Sequence, residues 1–131
     1  MIKILINIIF VIFFTNVKAS EFKLEEIFKG LKNPWSLSFV SNDNIILTEK
    51  SGKLFSLDLN KKEIVEIKHN LSIKEHGQGG LLDVIYKNNQ VYVSYSEKLD
   101  QWETSTSVAK GKFSKSNIKF NNIFRSVPPI N

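Results

Sequence analysis

Glu75-His76-Gly77-Gln78-Gly79-Gly80-Leu81-Leu82-Asp83-Val84 is the stretch of this sequence least like plain strand. Three glycines, Gly77, Gly79 and Gly80, surround one glutamine, Gln78. Glycine permits close backbone approach and dihedrals that other residues resist, which a loop lining a ligand pocket needs. The block is no phosphate loop, because no Lys-Ser/Thr pair follows it. It is no dinucleotide fingerprint either, because Leu82 sits where the third glycine belongs. By spacing alone, a pocket loop and a Gly-rich turn between sheets both fit.

The remaining reactive side chains are sparse. His76 lies near Gln78, but a general base needs a demonstrated geometry, and His76 reads as a loop or rim histidine. His69 falls at a strand end, and without a flanking carboxylate pattern the two do not form a zinc pair. The chain has no cysteine, so thiolate zinc sites, thiol nucleophiles and disulfides are excluded. No metal-ligand set is readable. Trp35 reads as core packing, Trp102 as a rim aromatic in a polar loop, and Asp83 as a buried structural hydrogen-bond partner.

The elements that must position this loop read as strand after strand. Phe22 to Phe28 is a first extended run, and Trp35 to Val40 follows Pro34. After the turn cluster Ser41–Asn44 come Ile45 to Glu49 and Lys53 to Leu59. The latter alternates, with Phe55, Leu57 and Leu59 on one face and Ser56 and Asp58 on the other. Glu63 to Ile67 ends a first set. Leu81 to Tyr86 is nearly all apolar, as in a strand buried on both faces. Val91 to Ser96, Ser107 to Phe113 and Ile118 to Phe124 complete a second set. No window carries a sustained helical period.

The two sets overlay. Ser38-Phe39-Val40, four turn residues and Ile45–Thr48 match Val84-Ile85-Tyr86, four turn residues and Val91–Ser94 at a constant offset of 46 residues. Four strands in roughly 40–50 residues is one β-propeller blade. The expected fold is all-β, about two four-stranded blades of an incomplete propeller. Two blades cannot close a ring that takes about 4–8, and an open blade exposes an apolar face and strand edges. The expectation is therefore the N-terminal portion of a longer protein, with Pro128-Pro129-Ile130-Asn131 as a loop-like ending.

Residues 1–19 read as a signal peptide. Lys3 gives a positive start, Ile4 to Phe14 is apolar except for Asn7, and Val17-Lys18-Ala19 is an A-x-A-like cleavage site. The apolar run is shorter than the about 20 residues that span a bilayer. Residues 20–131 would then be an exported domain held by its core alone, without a stable membrane span, periplasmic or secreted from a bacterium. The full chain carries +5; removing Lys3 and Lys18 with residues 1–19, which hold no acid, leaves +3. Lysines are scattered among acids and Arg125 is the only arginine, which argues against nucleic acid as a partner.

Five segments resemble the glucose/sorbosone dehydrogenase family, the six-bladed soluble PQQ-dependent aldose sugar dehydrogenases. They are Gly30–Phe39, Leu47–Leu54, Gly77–Val84, Val91–Ser96 and Thr106–Gly111, in the family's order. The resemblance implies oxidation of an aldose at its anomeric carbon, with PQQ as hydride acceptor, calcium as a second cofactor and an unidentified electron acceptor. It implies, for Gln78 alone, that the side chain faces the substrate, its amide donating to and accepting from a sugar hydroxyl; Gly77, Gly79 and Gly80 stay a pocket-loop candidate on their residue type. It places the general-base histidine, most quinone contacts and the calcium site beyond Asn131, so this chain carries no catalytic residue and is expected to be inactive. The alternative is a non-catalytic propeller that binds sugars or protein partners.

Overall fold

The computed structural model describes residues 22–127. The signal peptide expected at residues 1–19 and the ending at 128–131 lie outside the described residues. Nine strands follow in order: β1 Pro34–Phe39, β2 Asn44–Glu49, β3 Leu54–Asp58, β4 Glu63–His69, β5 Leu81–Lys87, β6 Gln90–Lys98, β7 Thr104–Lys112, β8 Asn117–Ile118 and β9 Asn121–Arg125. They form two sheets, β1-β2-β3-β4-β8 and β5-β6-β7-β9. Within each sheet the first four strands or their equivalents meander antiparallel, and β1 and β2 pack against β5. The expected two sets of strands are present, and no helix is long and apolar enough to cross a membrane among the described residues.

Period-two patterning makes the strands. In β6, Val91, Val93 and Tyr95 are buried while Tyr92 and Ser94 are less so. The turns have their own chemistry. Asn88 and Asn89 both take left-handed backbone, φ 51° and 61°, which the short Asn side chain tolerates. That is the geometry of a two-residue hairpin whose twist suits its strands. The β3–β4 turn is tied by Asp58, whose carboxylate accepts the Asn60 and Lys61 N–H groups at 3.1 and 3.0 Å.

The core lies between the sheets. Ile46, Leu54 and Ile67 of the first meet Leu81, Val84, Val91 and Val93 of the second. The β7–β9 connection drives Ile118 and Phe120 into the same cluster, each contributing about 2 kcal/mol by burial. It presses so closely on β7 that a Cβ on Gly111 would lie 2.5 Å from Ile118 and 2.8 Å from the Lys119 carbonyl oxygen.

Several expectations are corrected. Phe22 to Phe28 is not a strand; it finds no partner strand among the described residues, and Phe22 and Leu24 are almost wholly exposed. Ser56 is buried at 4% on the face expected to be polar, because that face of β3 is the one turned toward the second sheet. β5 is buried on one face only, and Ile85 on the other is 54% exposed. Ile118 to Phe124 is two strands, not one: β8 pairs in parallel with β4, and β9 returns to β7. The two hairpin turns also differ in length. Phe39 pairs with Ile45, whereas Lys87 pairs directly with Gln90.

Candidate functional site

Gln78 stands at the apex of a tight turn. The Gly79 N–H donates to the His76 carbonyl at 2.7 Å, and the His76 N–H donates to the Gly79 carbonyl at 3.3 Å. Gly77 holds φ at +53° while Gln78 does not have positive φ. Positive φ at the first central position only is the II′ hairpin turn, which asks for glycine there. The Gln78 side chain is exposed and makes no hydrogen bond among the described residues. Its amide is thus free to donate and accept.

The loop is anchored from both sheets. Lys50, just past β2, gives its ammonium to the Gly77 carbonyl oxygen. Its own carbonyl accepts the Leu81 N–H at 3.1 Å. On the other side the Ser96 N–H donates to the Gly80 carbonyl at 2.8 Å. This crowding excludes a side chain at Gly80, where backbone is met, and disfavours one at Gly79, where the nearest atom is a serine hydroxyl. A Cβ on Gly80 would sit 2.2 Å from the Lys50 carbonyl oxygen, and one on Gly79 would sit 2.6 Å from the Ser96 hydroxyl. Gly77 meets nothing within 4 Å, so its requirement is conformational alone.

Below the loop, β1 reads the backbone of β5 through alternate serines. The Ser38 hydroxyl accepts the Tyr86 N–H at 2.9 Å, and the Ser36 hydroxyl donates to the Asp83 carboxylate. The Thr48 hydroxyl donates to the Leu82 carbonyl at 2.6 Å. Asp83 is therefore hydrogen-bonded as expected but exposed, not buried, because it sits where the β5–β6 register shifts. His76 is exposed beside the turn. His69 is remote from Gln78 in role: its Nε2 meets the Gly52 carbonyl at 2.7 Å and its Nδ1 accepts the Leu71 N–H at 3.3 Å, which fixes the proton on Nε2. Trp35 is not core; it is 47% exposed and lines a groove of about 520 Å³ with Phe28, Leu31, Leu37 and Leu57. Trp102 is exposed, as a rim aromatic would be.

Sequence reasoning missed two features. One is Lys50. The other is a charged cluster beside a polar cavity of about 440 Å³, where Glu97, Arg125, Asn122 and Tyr95 converge. Burial raises the Tyr95 phenol, countered by its 2.6 Å bond to Asn122. Arg125 holds the Glu97 carboxyl below its usual range. The signal was available: Glu97 continues the inward parity of Val91, Val93 and Tyr95, and an inward carboxylate calls for the one arginine.

Calcium and a quinone bearing several carboxylates would need clustered ligands and cations. Among the described residues no group of three or more His, Cys, Asp or Glu side chains converges. Lys50 is the cation tied to the Gln78 loop, and its ammonium is engaged by Gly77. The described residues do not by themselves fit either group.

The two sheets are blades of a partial β-propeller, and Gln78 lies in the loop that joins them. The family model for glucose/sorbosone dehydrogenase matches residues 31–131, and the chain belongs to that family. It is 30% identical over 109 residues to aldose sugar dehydrogenase YliI of Escherichia coli (strain K12), covering 76% of this chain and 29% of that protein. A solved glucose dehydrogenase superposes with a TM-score of 0.74 at 28% identity, over 81% of this chain and 33% of that one. The PQQ-bound aldose sugar dehydrogenase of Streptomyces coelicolor shares the fold, with a TM-score of 0.68 at 17% identity over 80% of this chain and 34% of its own. The chain spans about a third of the length of these relatives.

Proposed function

We propose that this chain is the N-terminal part of a periplasmic quinoprotein that oxidises aldose sugars at the anomeric carbon, with Gln78 as a substrate contact. The observation that carries the reading is the family match over residues 31–131, joined to an exposed glutamine whose amide has no hydrogen-bond partner among the described residues. The relatives' names supply the substrate class: an aldose sugar for one, glucose for another. PQQ is bound in the S. coelicolor structure, and PQQ with calcium is the cofactor set proposed for the whole protein.

This chain's own work is binding and orientation. The turn lifts the Gln78 amide clear of both sheets, where its oxygen and nitrogen can meet the paired donor and acceptor of a sugar hydroxyl. The redox chemistry belongs to the cofactor when bound, and the proton is taken by a base outside residues 22–127. Residues 20–131 alone are accordingly inactive.

The test has two arms. Residues 20–131 with PQQ, calcium and an aldose should give no dye reduction above the sugar-free control; clear reduction would overturn the inactive assignment. An isotope-labelled chain titrated with D-glucose should show shifts centred on the Gln78 side-chain amide that Gln78→Ala abolishes. Shifts that persist in the variant would remove Gln78 from the site.

A further inference from the structure

We propose that Lys50 is the positioning residue for Gln78, setting the direction of its side chain from the neighbouring blade. The proposal rests on the reading above for what Gln78 contacts; the positioning itself is argued from geometry.

The turn apex has little else to hold it. A Cβ at Gly77 would meet nothing within 4 Å, so the apex packs against no neighbour there. One of the two turn hydrogen bonds is long, at 3.3 Å. The contact that reaches the apex from elsewhere is the Lys50 ammonium on the Gly77 carbonyl oxygen. That oxygen belongs to the planar peptide joining Gly77 to Gln78. Fixing it fixes the plane, and with it the Gln78 nitrogen and the origin of the Gln78 side chain. A charge-assisted bond does this more firmly than a neutral one.

The same residue also holds the loop's exit. The Lys50 carbonyl accepts the Leu81 N–H at 3.1 Å, and Gly80 lies so close that only glycine fits over that carbonyl. Side chain and main chain of one residue therefore grip the loop on both sides of Gln78. Lys50 follows β2, in the first blade, while Leu81 opens β5, in the second. The direction of the Gln78 amide is thus tied to how the two blades sit together. A substitution that leaves the blades folded but removes the ammonium releases the apex and keeps the exit.

Lys50→Met and Lys50→Arg in the 131-residue chain test this by amide hydrogen exchange read by NMR. Protection of the Gly79 N–H, which closes the turn, should fall about tenfold in Lys50→Met, the loss of one charge-assisted bond. Leu81 and Val93 should keep their protection, and Lys50→Arg should restore Gly79. Unchanged protection at Gly79, or an equal loss at Val93, overturns the proposal. A D-glucose titration of the same three proteins separates it from the sugar reading. Glucose shifts at Gln78 should weaken in Lys50→Met and return in Lys50→Arg. An unmodified chain without glucose shifts refutes the sugar contact, while the exchange data still decide the role of Lys50.

Discussion

Arg125 closes on Glu97 with two hydrogen bonds, Nε to Oε2 at 2.8 Å and Nη2 to Oε1 at 2.6 Å. The Ser107 hydroxyl and the Asn122 amide donate to the same Oε2 at 2.6 and 2.8 Å. One carboxylate on β6 thereby ties down β7 and β9. The Arg125 bond is the first cause of the depressed Glu97 pKa, followed by Ser107 and the Arg125 charge against the opposing cost of burial.

A folded-state pKa below the ordinary 4.5 has a definite sign. The cluster stabilises the fold above the unfolded value, and that stabilisation is lost as pH falls through the folded pKa. Urea unfolding should show Glu97→Gln less stable than the parent by about 1 kcal/mol near neutral pH. The gap should close in acid, where the parent carboxylate is itself protonated. A pH-independent gap would assign the loss to packing instead.

Gly80→Ala and Gly77→Ala should differ sharply. The first drives a Cβ to 2.2 Å from a backbone oxygen at φ +154°, whereas the second meets open space at φ +53°. Expected losses are about 3 kcal/mol for Gly80→Ala and about 1 kcal/mol for Gly77→Ala. Chemical denaturation of both variants checks the order, and equal losses would contradict the crowding at Lys50.

Ser38→Ala should cost about 1–2 kcal/mol, because it strands the Tyr86 N–H that its hydroxyl satisfies. Ser38→Thr retains a hydroxyl and should recover part of that loss. Denaturant midpoints decide; no difference between Ala and Thr would mean that water replaces the serine.

The outer face of each blade carries uncovered apolar side chains. Leu37 and Phe39 stand on the first, Ile85 and Phe124 on the second, each more than half exposed. Exposed apolar side chains of this kind promote association. The isolated chain should sediment as concentration-dependent oligomers, and Leu37→Lys with Ile85→Lys should shift it toward monomer. A monomer at all concentrations would show the faces to be inert.

Much of the blade architecture was legible because strand parity is a local property. Val91, Val93 and Tyr95 announce their buried face without knowledge of the partner sheet. Phe22 to Phe28 misled for the converse reason: its residues suit a strand, but a strand needs a partner, and pairing is not local. Ser56 reads with Asp58 as a polar face of its strand, yet its parity with Leu54 places it inward. Ile118 to Phe124 has apolar residues enough for one strand, and only the approach of β4 shows why it divides. At the candidate site, the three glycines and Gln78 were visible as a composition anomaly. Lys50 was not, since a lysine after a strand resembles any solvated charge until Gly77 is seen above it.

The detour through β8 also orders events in time. β4 presents its free edge until Asn117 and Ile118 arrive beside Lys68 and His69, and by then β5, β6 and β7 have already left the ribosome. The first blade is thus completed by chain made after most of the second. The two must be finished together, and a pause in synthesis before Ile118 would leave the earlier blade with a bare edge open to another nascent chain.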